Sequence, residues 1–149
     1  MLDKFEYYHG AAIISLMSNK SCESICAKEK DGYILNKDIF VFVKYRTKAR
    51  SPWNFTFDQE DIDRCSNMKY SYPQVLIGLV CGGDGVCGLS LSEVNTLLLN
   101  KPGSIAVKRK HNHSYSVQGS FGELKYKIPL NRWSTLPFEM INFSGDLYV

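Results

Sequence analysis

The sequence predicts a single α+β domain with a central mixed sheet flanked by helices and a C-terminal antiparallel β meander. Residues 39–43 and 74–81 are almost continuous apolar runs rich in β-branched residues, as expected of strands that are covered on both faces. Short strand-like segments separated by turn residues in the last third predict the meander. The 149 residues, 44% of them hydrophobic, suffice for one core. We expect residues 1–100 to form an α/β core and residues 101–149 a β-rich extension.

The first half of the chain predicts one helix followed by four strands. Apolar residues at steps of three and four predict a helix over residues 3–18, with Asp3 as its N-cap and Glu6 three positions later. An irregular link with one short strand follows, and residues 33–35 form a hairpin with the buried strand at 39–43. Pro52 ends the extension of that strand, and residues 53–57 return as a strand whose aromatic side chains face inward.

The second half of the chain alternates helices with strands and then becomes β-rich. Asp58 is placed to cap a helix that runs to about residue 68, and Ser90 begins a helix that runs to about residue 99. Between these helices, the glycine-rich turn at residues 82–85 joins the buried strand to a short return strand. The predicted strands of the meander are residues 104–110, 114–118 and 123–128.

Composition and cysteine use set the expected compartment. No run of about 18 apolar residues is present, and the N-terminus lacks the basic and then apolar build of a signal peptide, so we expect a cytoplasmic protein without membrane partners. Five cysteines are then expected to be reduced. Two pairs of thiolates could bind zinc, but only the first pair has the spacing of a zinc knuckle, so we expect no metal. The residues concerned are Cys22, Cys26, Cys81 and Cys87.

A row of cations follows the central buried strand. Every second residue after Val43 is basic, and a period of two places alternate residues on one face of an extended chain. The spacing of roughly 6 to 7 Å is close to that of phosphates along a nucleic-acid strand. The alternative is a solvated strand end that keeps a sheet edge soluble. The residues of this row are Lys44, Arg46, Lys48 and Arg50.

A second basic cluster lies at the tip of the predicted meander. Lys108 and Lys110 share one face of the hairpin, Arg109 points away, and Tyr115 supplies an aromatic ring. Cations interleaved with exposed rings suit single-stranded nucleic acid, since cations bind phosphates and rings stack on bases. The alternative is a soluble hairpin tip. The net charge is only +3, so any nucleic-acid function depends on these local clusters.

The order of elements over the first hundred residues resembles the core of the PD-(D/E)xK nuclease superfamily. That resemblance implies a magnesium site with Glu6 on the first helix, Asp38 at a strand start and Lys44 as catalytic residues. The chain departs from the family pattern because Phe42 stands where an acid is expected, and because Asp38 and Lys44 share one strand. The stretches 44–48, 51–57 and 79–85 also resemble a bacterial protein group, which implies a fold but no chemistry.

Three functions follow as hypotheses. The first, which we favour, is a nucleic-acid-binding domain on a nuclease-like sheet, bound to DNA or RNA and without a complete metal site. The second is a divergent magnesium-dependent nuclease that uses Asp58 or Asp84 as its missing acid. The third is a protein-interaction module, either for another protein or for a second copy of the chain, through an aromatic C-terminal tail. The aromatic and proline residues of that tail are Trp133, Pro137, Phe138, Phe143 and Tyr148.

Overall fold

The computed structural model describes the backbone of residues 2–147 and the side chains of residues 2–139. The described part contains four helices and eight strands. The helices are α1 (Lys4–Met17), α2 (Gln59–Met68), α3 (Leu91–Leu98) and α4 (Arg132–Leu147). The strands are β1 (Ile25–Ala27), β2 (Gly32–Leu35), β3 (Ile39–Arg46), β4 (Trp53–Phe57), β5 (Gln74–Cys81), β6 (Gly85–Ser90), β7 (Gly103–Lys108) and β8 (Ser116–Gly119).

Two sheets organise these elements. The larger sheet has the order β1-β2-β3-β5-β6, so the apolar strand β3 is its middle strand, as predicted. The β3–β5 pair is parallel and the other pairs are antiparallel, which makes this sheet mixed. The smaller sheet has the order β4-β7-β8 and is antiparallel throughout. The predicted α+β class is therefore confirmed.

Both faces of β3 are buried, each by different elements of the fold. Phe40 and Phe42 face a core shared with the smaller sheet, α2 and α3. Val41 and Val43, which alternate with them, face the layer formed by α1 and α4. A strand enclosed in this way must be apolar at every position, which explains the uninterrupted run in the sequence.

The predicted helix starts are confirmed. Asp3 accepts a hydrogen bond from the Glu6 amide at 2.8 Å, so α1 begins at the expected N-cap. Asp58 begins α2 and Ser90 begins α3, each within a reciprocal capping box. These caps satisfy amide groups that the first turn of a helix leaves without partners.

Three expectations about strand pairing and the C-terminal region need correction. The strand β4 does not pair with β3 as a returning hairpin, because it joins the smaller sheet, where Phe55 lies opposite Ile105. Residues 123–128 do not form a strand; only two isolated bridges, Tyr115 with Ile128 and Gln118 with Glu123, join them to the smaller sheet. The C-terminal region is also not β-rich to its end, because α4 occupies Arg132–Leu147.

Helix α4 packs against the larger sheet through Trp133. Its indole lies over Gly78 and Gly88, which are opposite each other in β5 and β6, and its Nε1 donates to the Ala12 carbonyl at 3.0 Å. Arg132 pairs with the carboxylate of Glu93 at 2.8 Å, which ties the start of α4 to α3. The tail therefore contributes to the domain's own core.

This packing bears on the predicted aromatic interface. Trp133, Pro137 and Phe138 are buried and do not offer contact surface to a partner. The side chains of Phe143 and Tyr148 lie outside the described residues.

In the part of the chain that the structure describes, no helix is both long and apolar enough to cross a membrane.

Candidate nucleic-acid interface

The predicted row of four cations is interrupted where β3 ends. The strand ends at Arg46, so Lys48 and Arg50 lie in the following loop. They do not continue one strand face, and that part of the prediction is wrong. Lys44 is paired with Asp61 at 3.0 Å and lies over the ring of Phe57. Only the pair Lys44 and Arg46 retains the predicted alternation, and the charge of Lys44 is already balanced by a carboxylate.

The loop that carries Lys48 and Arg50 is fixed against the turn between β5 and β6. Gly82 has φ +55°, and a Cβ there would lie 2.2 Å from the Lys48 carbonyl oxygen, so this close approach requires glycine. The same carbonyl accepts a hydrogen bond from Trp53 Nε1 at 2.8 Å. The loop is thereby held at the carboxyl end of the parallel strands β3 and β5.

Arg109 holds the second basic segment to the same turn. Its Nε and Nη2 donate to the two oxygens of Asp84 at 2.8 and 2.6 Å, and its Nη1 donates to the carbonyls of Lys110 and His113. This bidentate pair orders the loop between β7 and β8. Because β7 ends at Lys108, the strand alternation predicted for Lys108, Arg109 and Lys110 does not continue, and all three residues line one cleft.

Tyr115 also bonds to Asp84, the partner of Arg109. Its hydroxyl donates to Asp84 at 2.9 Å, and the side chain is fully buried. The prediction that Tyr115 offers a ring for base stacking is therefore wrong, because the ring contacts the core. The guanidinium of Arg109, aided by the Tyr115 hydroxyl, holds the pKa of Asp84 below its usual value, so Asp84 is ionised at neutral pH.

The two basic segments meet at the Arg109 amide, which donates to Ser51 Oγ at 3.2 Å. Two surface clefts adjoin this contact, with volumes of about 500 and 520 Å³. Four side chains lining them form what we term the basic rim: Arg50, Lys108, Lys110 and Lys127. Among residues 2–139, none of these four has a carboxylate within 4.0 Å.

The residues suggested by the nuclease resemblance do not come together. Asp38 lies in the turn before β3 and Lys44 near the end of that strand, a separation of about 20 Å along an extended chain. Glu6 lies on α1, which packs on the face of the larger sheet opposite to Lys44. Within the described residues, no three His, Cys, Asp or Glu side chains are grouped as metal ligands.

The cysteines considered for zinc lie at opposite ends of the larger sheet. Cys26 is exposed on the edge strand β1, opposite Ile34, whereas Cys81 lies at the carboxyl end of β5. Cys81 and Cys87 are buried, and burial raises the pKa of both thiols. They are small residues of the hydrophobic core.

Sequence analysis did not identify the contacts that position the basic rim. The charges were visible, but the pairing of Arg109 with Asp84 joins residues 25 positions apart, and no local pattern indicates it. The turn at residues 82–85 was predicted, and Asp84 was considered as the missing acid of a nuclease, but neither interpretation assigned Gly82 and Asp84 to the positioning of basic loops. Lys127 was not among the predicted site residues.

Comparisons with protein-family models, with curated proteins and with solved structures find no match for this chain.

Proposed function

We propose that the protein binds nucleic acid through the phosphate backbone, and that the basic rim is the contact surface. The observation that carries the proposal is the convergence of the two basic segments, which are distant in sequence and are joined by the Arg109 amide and Ser51. The phosphate backbone supplies the multiple, closely spaced anions that such a surface can neutralise.

The charges of the rim favour a ligand that is itself an extended anion. Arg109 and Asp84 neutralise each other and fix the loops, whereas Arg50, Lys108 and Lys110 project into solvent. Lys127 donates to Ser116 Oγ and has no carboxylate within 4.0 Å among residues 2–139. Binding of phosphates would release the counterions that this surface otherwise attracts, and that release is the main driving force of sequence-independent binding.

The lining of the clefts favours phosphate contacts over base contacts. The only Phe, Tyr or Trp among their lining residues is Trp53, and its ring is buried, so the described part of this surface presents no such ring for base stacking. Phosphate contacts position a nucleic acid without reading its sequence. We therefore expect weak sequence preference, and binding of duplex at least as strong as binding of single strands.

The test compares two variants that change net charge equally. The first replaces rim residues by glutamine: Arg50→Gln, Lys108→Gln and Lys110→Gln. The control replaces Lys20, Lys37 and Lys69, which are exposed near the amino ends of β3 and β5, at the opposite end of the sheet. Fluorescence anisotropy with a labelled duplex and its separate strands, at about 50 mM salt, gives the affinities.

We expect the rim variant to lose on the order of tenfold or more in duplex affinity and the control to remain within about twofold of the original protein. Equal losses in both variants would mean that only net charge matters. Unchanged binding by the rim variant would place the contact surface elsewhere and refute the proposal.

Catalysis is not part of this proposal. A metal-dependent nuclease needs several carboxylates around one point, and Glu6 and Asp38 lie far from Lys44. Addition of magnesium or of a chelator to the same samples tests this directly, because a nuclease would shorten the duplex only in the presence of magnesium.

A further inference from the structure

A second polar cavity, separate from the basic rim, lies where the end of β3 extends past its neighbour β2. Its volume is about 240 Å³. Side chains from α1, β3, β4 and the turn before β2 line it: His9, Asp31, Val43, Lys44, Tyr45, Arg46, Phe55 and Thr56. The proposed nucleic-acid function does not use this cavity.

The backbone of β3 is open on this side. Gly32, the first residue of β2, lies opposite Phe42, and the last contact between these two strands is the Val43 amide donating to the Asp31 carbonyl at 3.0 Å. Along a strand, alternate residues direct their amides to opposite neighbours, and the Arg46 carbonyl is bonded on the β5 side. The Tyr45 amide therefore points toward the cavity, and no backbone acceptor for it is present among the described residues.

Among the described residues, Asp31 is the only acid that lines the cavity. Its Oδ1 lies 3.7 Å from His9 Nε2, which is longer than a hydrogen bond. His9 is buried, its Nδ1 lies 2.7 Å from the Tyr33 hydroxyl, and its ring stacks on Phe5. Burial lowers the pKa of His9, although the charge of Asp31 opposes this shift, so His9 is mainly neutral at pH 7 and does not balance the carboxylate.

Arg46 is the matching cation. Lys44 also lines the cavity, but it is paired with Asp61 at 3.0 Å. Arg46 is exposed and has no carboxylate within 4.0 Å among the described residues. The lining thus offers one unbalanced carboxylate, one unbalanced guanidinium, an open amide and the Thr56 hydroxyl.

We propose that this cavity binds a small zwitterion of the free α-amino acid class. The ammonium group of the ligand contacts Asp31, and its carboxylate contacts the guanidinium of Arg46 and the amide of Tyr45. A simple anion would be repelled by Asp31 and a simple amine by Arg46, whereas a molecule that carries both charges satisfies the whole lining. The inference is independent of nucleic-acid binding.

The size of the cavity limits the ligand. Drug-sized ligands occupy pockets of roughly 300 to 1,000 Å³, and this cavity is smaller. Glycine, alanine and serine are the appropriate probes. An alanine molecule has about six non-hydrogen atoms, so a dissociation constant of about 1 mM stays well within the usual limit of binding energy per atom.

The test is a titration followed by amide resonances in two-dimensional nuclear magnetic resonance spectra. Alanine is compared with its two halves, ethylammonium and propionate, and with inorganic phosphate. We expect saturable shifts with alanine at Tyr45, Thr56 and Asp31, and no saturable shift at these three residues with ethylammonium, propionate or phosphate. The amides of Lys108 and Lys110 in the basic rim should not respond to alanine.

Two variants assign the charges. Asp31→Asn and Arg46→Gln should each weaken alanine binding on the order of tenfold or more, because each removes a charged hydrogen-bond partner. Lys69→Gln, at an exposed residue near the opposite end of the sheet, is the control and should bind alanine normally. Spectra of the free variants report whether the fold is retained.

Three outcomes overturn the proposal. Propionate or phosphate that binds as tightly as alanine would make this an anion site. If Asp31→Asn kept the original affinity for alanine, Asp31 would not be the contact of the ammonium group. The absence of saturable shifts with glycine, alanine and serine up to about 10 mM would show that the cavity does not bind this class.

Discussion

Replacement of Gly78 by alanine should destabilise the domain, because Trp133 occupies the space that a methyl group would need. A Cβ at Gly78 would lie 2.8 Å from Cη2, 2.9 Å from Cζ2 and 3.1 Å from Cζ3 of the indole. The indole cannot move aside freely, since it is 1% exposed and its Nε1 is bonded to the Ala12 carbonyl. The methyl group must therefore displace α4 or the sheet.

The expected cost follows from overpacking. Extra methyl groups in close-packed cores cost about 1 to 3 kcal/mol, and the replacement of glycine in a strand returns roughly 0.5 to 1 kcal/mol in backbone entropy. We expect Gly78→Ala to lower the free energy of unfolding by about 1 to 2 kcal/mol. Gly83→Ala is the matched control: a Cβ there meets nothing within 4 Å, so its effect should stay within about 0.5 kcal/mol.

Urea unfolding followed by far-ultraviolet circular dichroism gives the free energies. A second background, Trp133→Phe, separates the local clash from other effects, because phenylalanine lacks the far part of the indole. In that background the cost of Gly78→Ala should fall to near zero. Equal stability of Gly78→Ala and Gly83→Ala, or an unchanged cost beside Phe, would refute the proposed packing of α4 on the sheet.

Two further predictions test the interior. Asp84→Asn should lower the free energy of unfolding by about 2 kcal/mol at pH 7, since it removes the bidentate partner of Arg109, whereas the exposed Asp38→Asn should have little effect. The pKa of Asp84 is lowered in the folded state, so its contribution to the free energy of unfolding is present above the pKa of the unfolded state and is lost as pH falls through the pKa of the folded state. Urea unfolding should therefore show a smaller stability difference between Asp84→Asn and the original protein near pH 3 than at pH 7. A colorimetric thiol reagent at pH 8 should label Cys26 rapidly and Cys22 more slowly in the native protein. The three buried thiols should react only after unfolding, since burial raises the pKa of Cys65 to about 12 and also raises the pKa values of Cys81 and Cys87. Five fast thiols in the native state would contradict the described core.

Much of the fold could be predicted because local patterns determine it. The apolar run of β3 requires cover on both faces, and the caps at Asp3, Asp58 and Ser90 fix where the helices begin. Pairing partners were harder to predict. Trp53, Phe55 and Phe57 alternate in the same way whether β4 pairs with β3 or with β7, so the sequence leaves the partner open.

The basic residues of the candidate surface could be identified from the sequence, but their arrangement in space could not. Basic residues are visible in any sequence, but the arrangement of the loops depends on Gly82, Asp84 and Arg109, which make their contacts across long separations. Tyr115 shows the same difficulty, because a tyrosine beside lysines suits a stacking platform as well as a core position. The cavity beside Arg46 depends on where β2 begins relative to β3, and strand register of this kind is not a local property.

The salt dependence of duplex binding tests the central proposal most directly. If all four cations of the basic rim contact phosphates, the logarithm of the binding constant should fall with the logarithm of salt concentration with a slope of about −3.6, a loss of roughly 150-fold between about 50 and about 200 mM salt. The variant lacking Arg50, Lys108 and Lys110 should have a slope that is smaller in magnitude by about 2.7, and the control lacking Lys20, Lys37 and Lys69 should keep the original slope. A slope near zero, or a slope that the rim variant leaves unchanged, would contradict binding of nucleic acid at this surface.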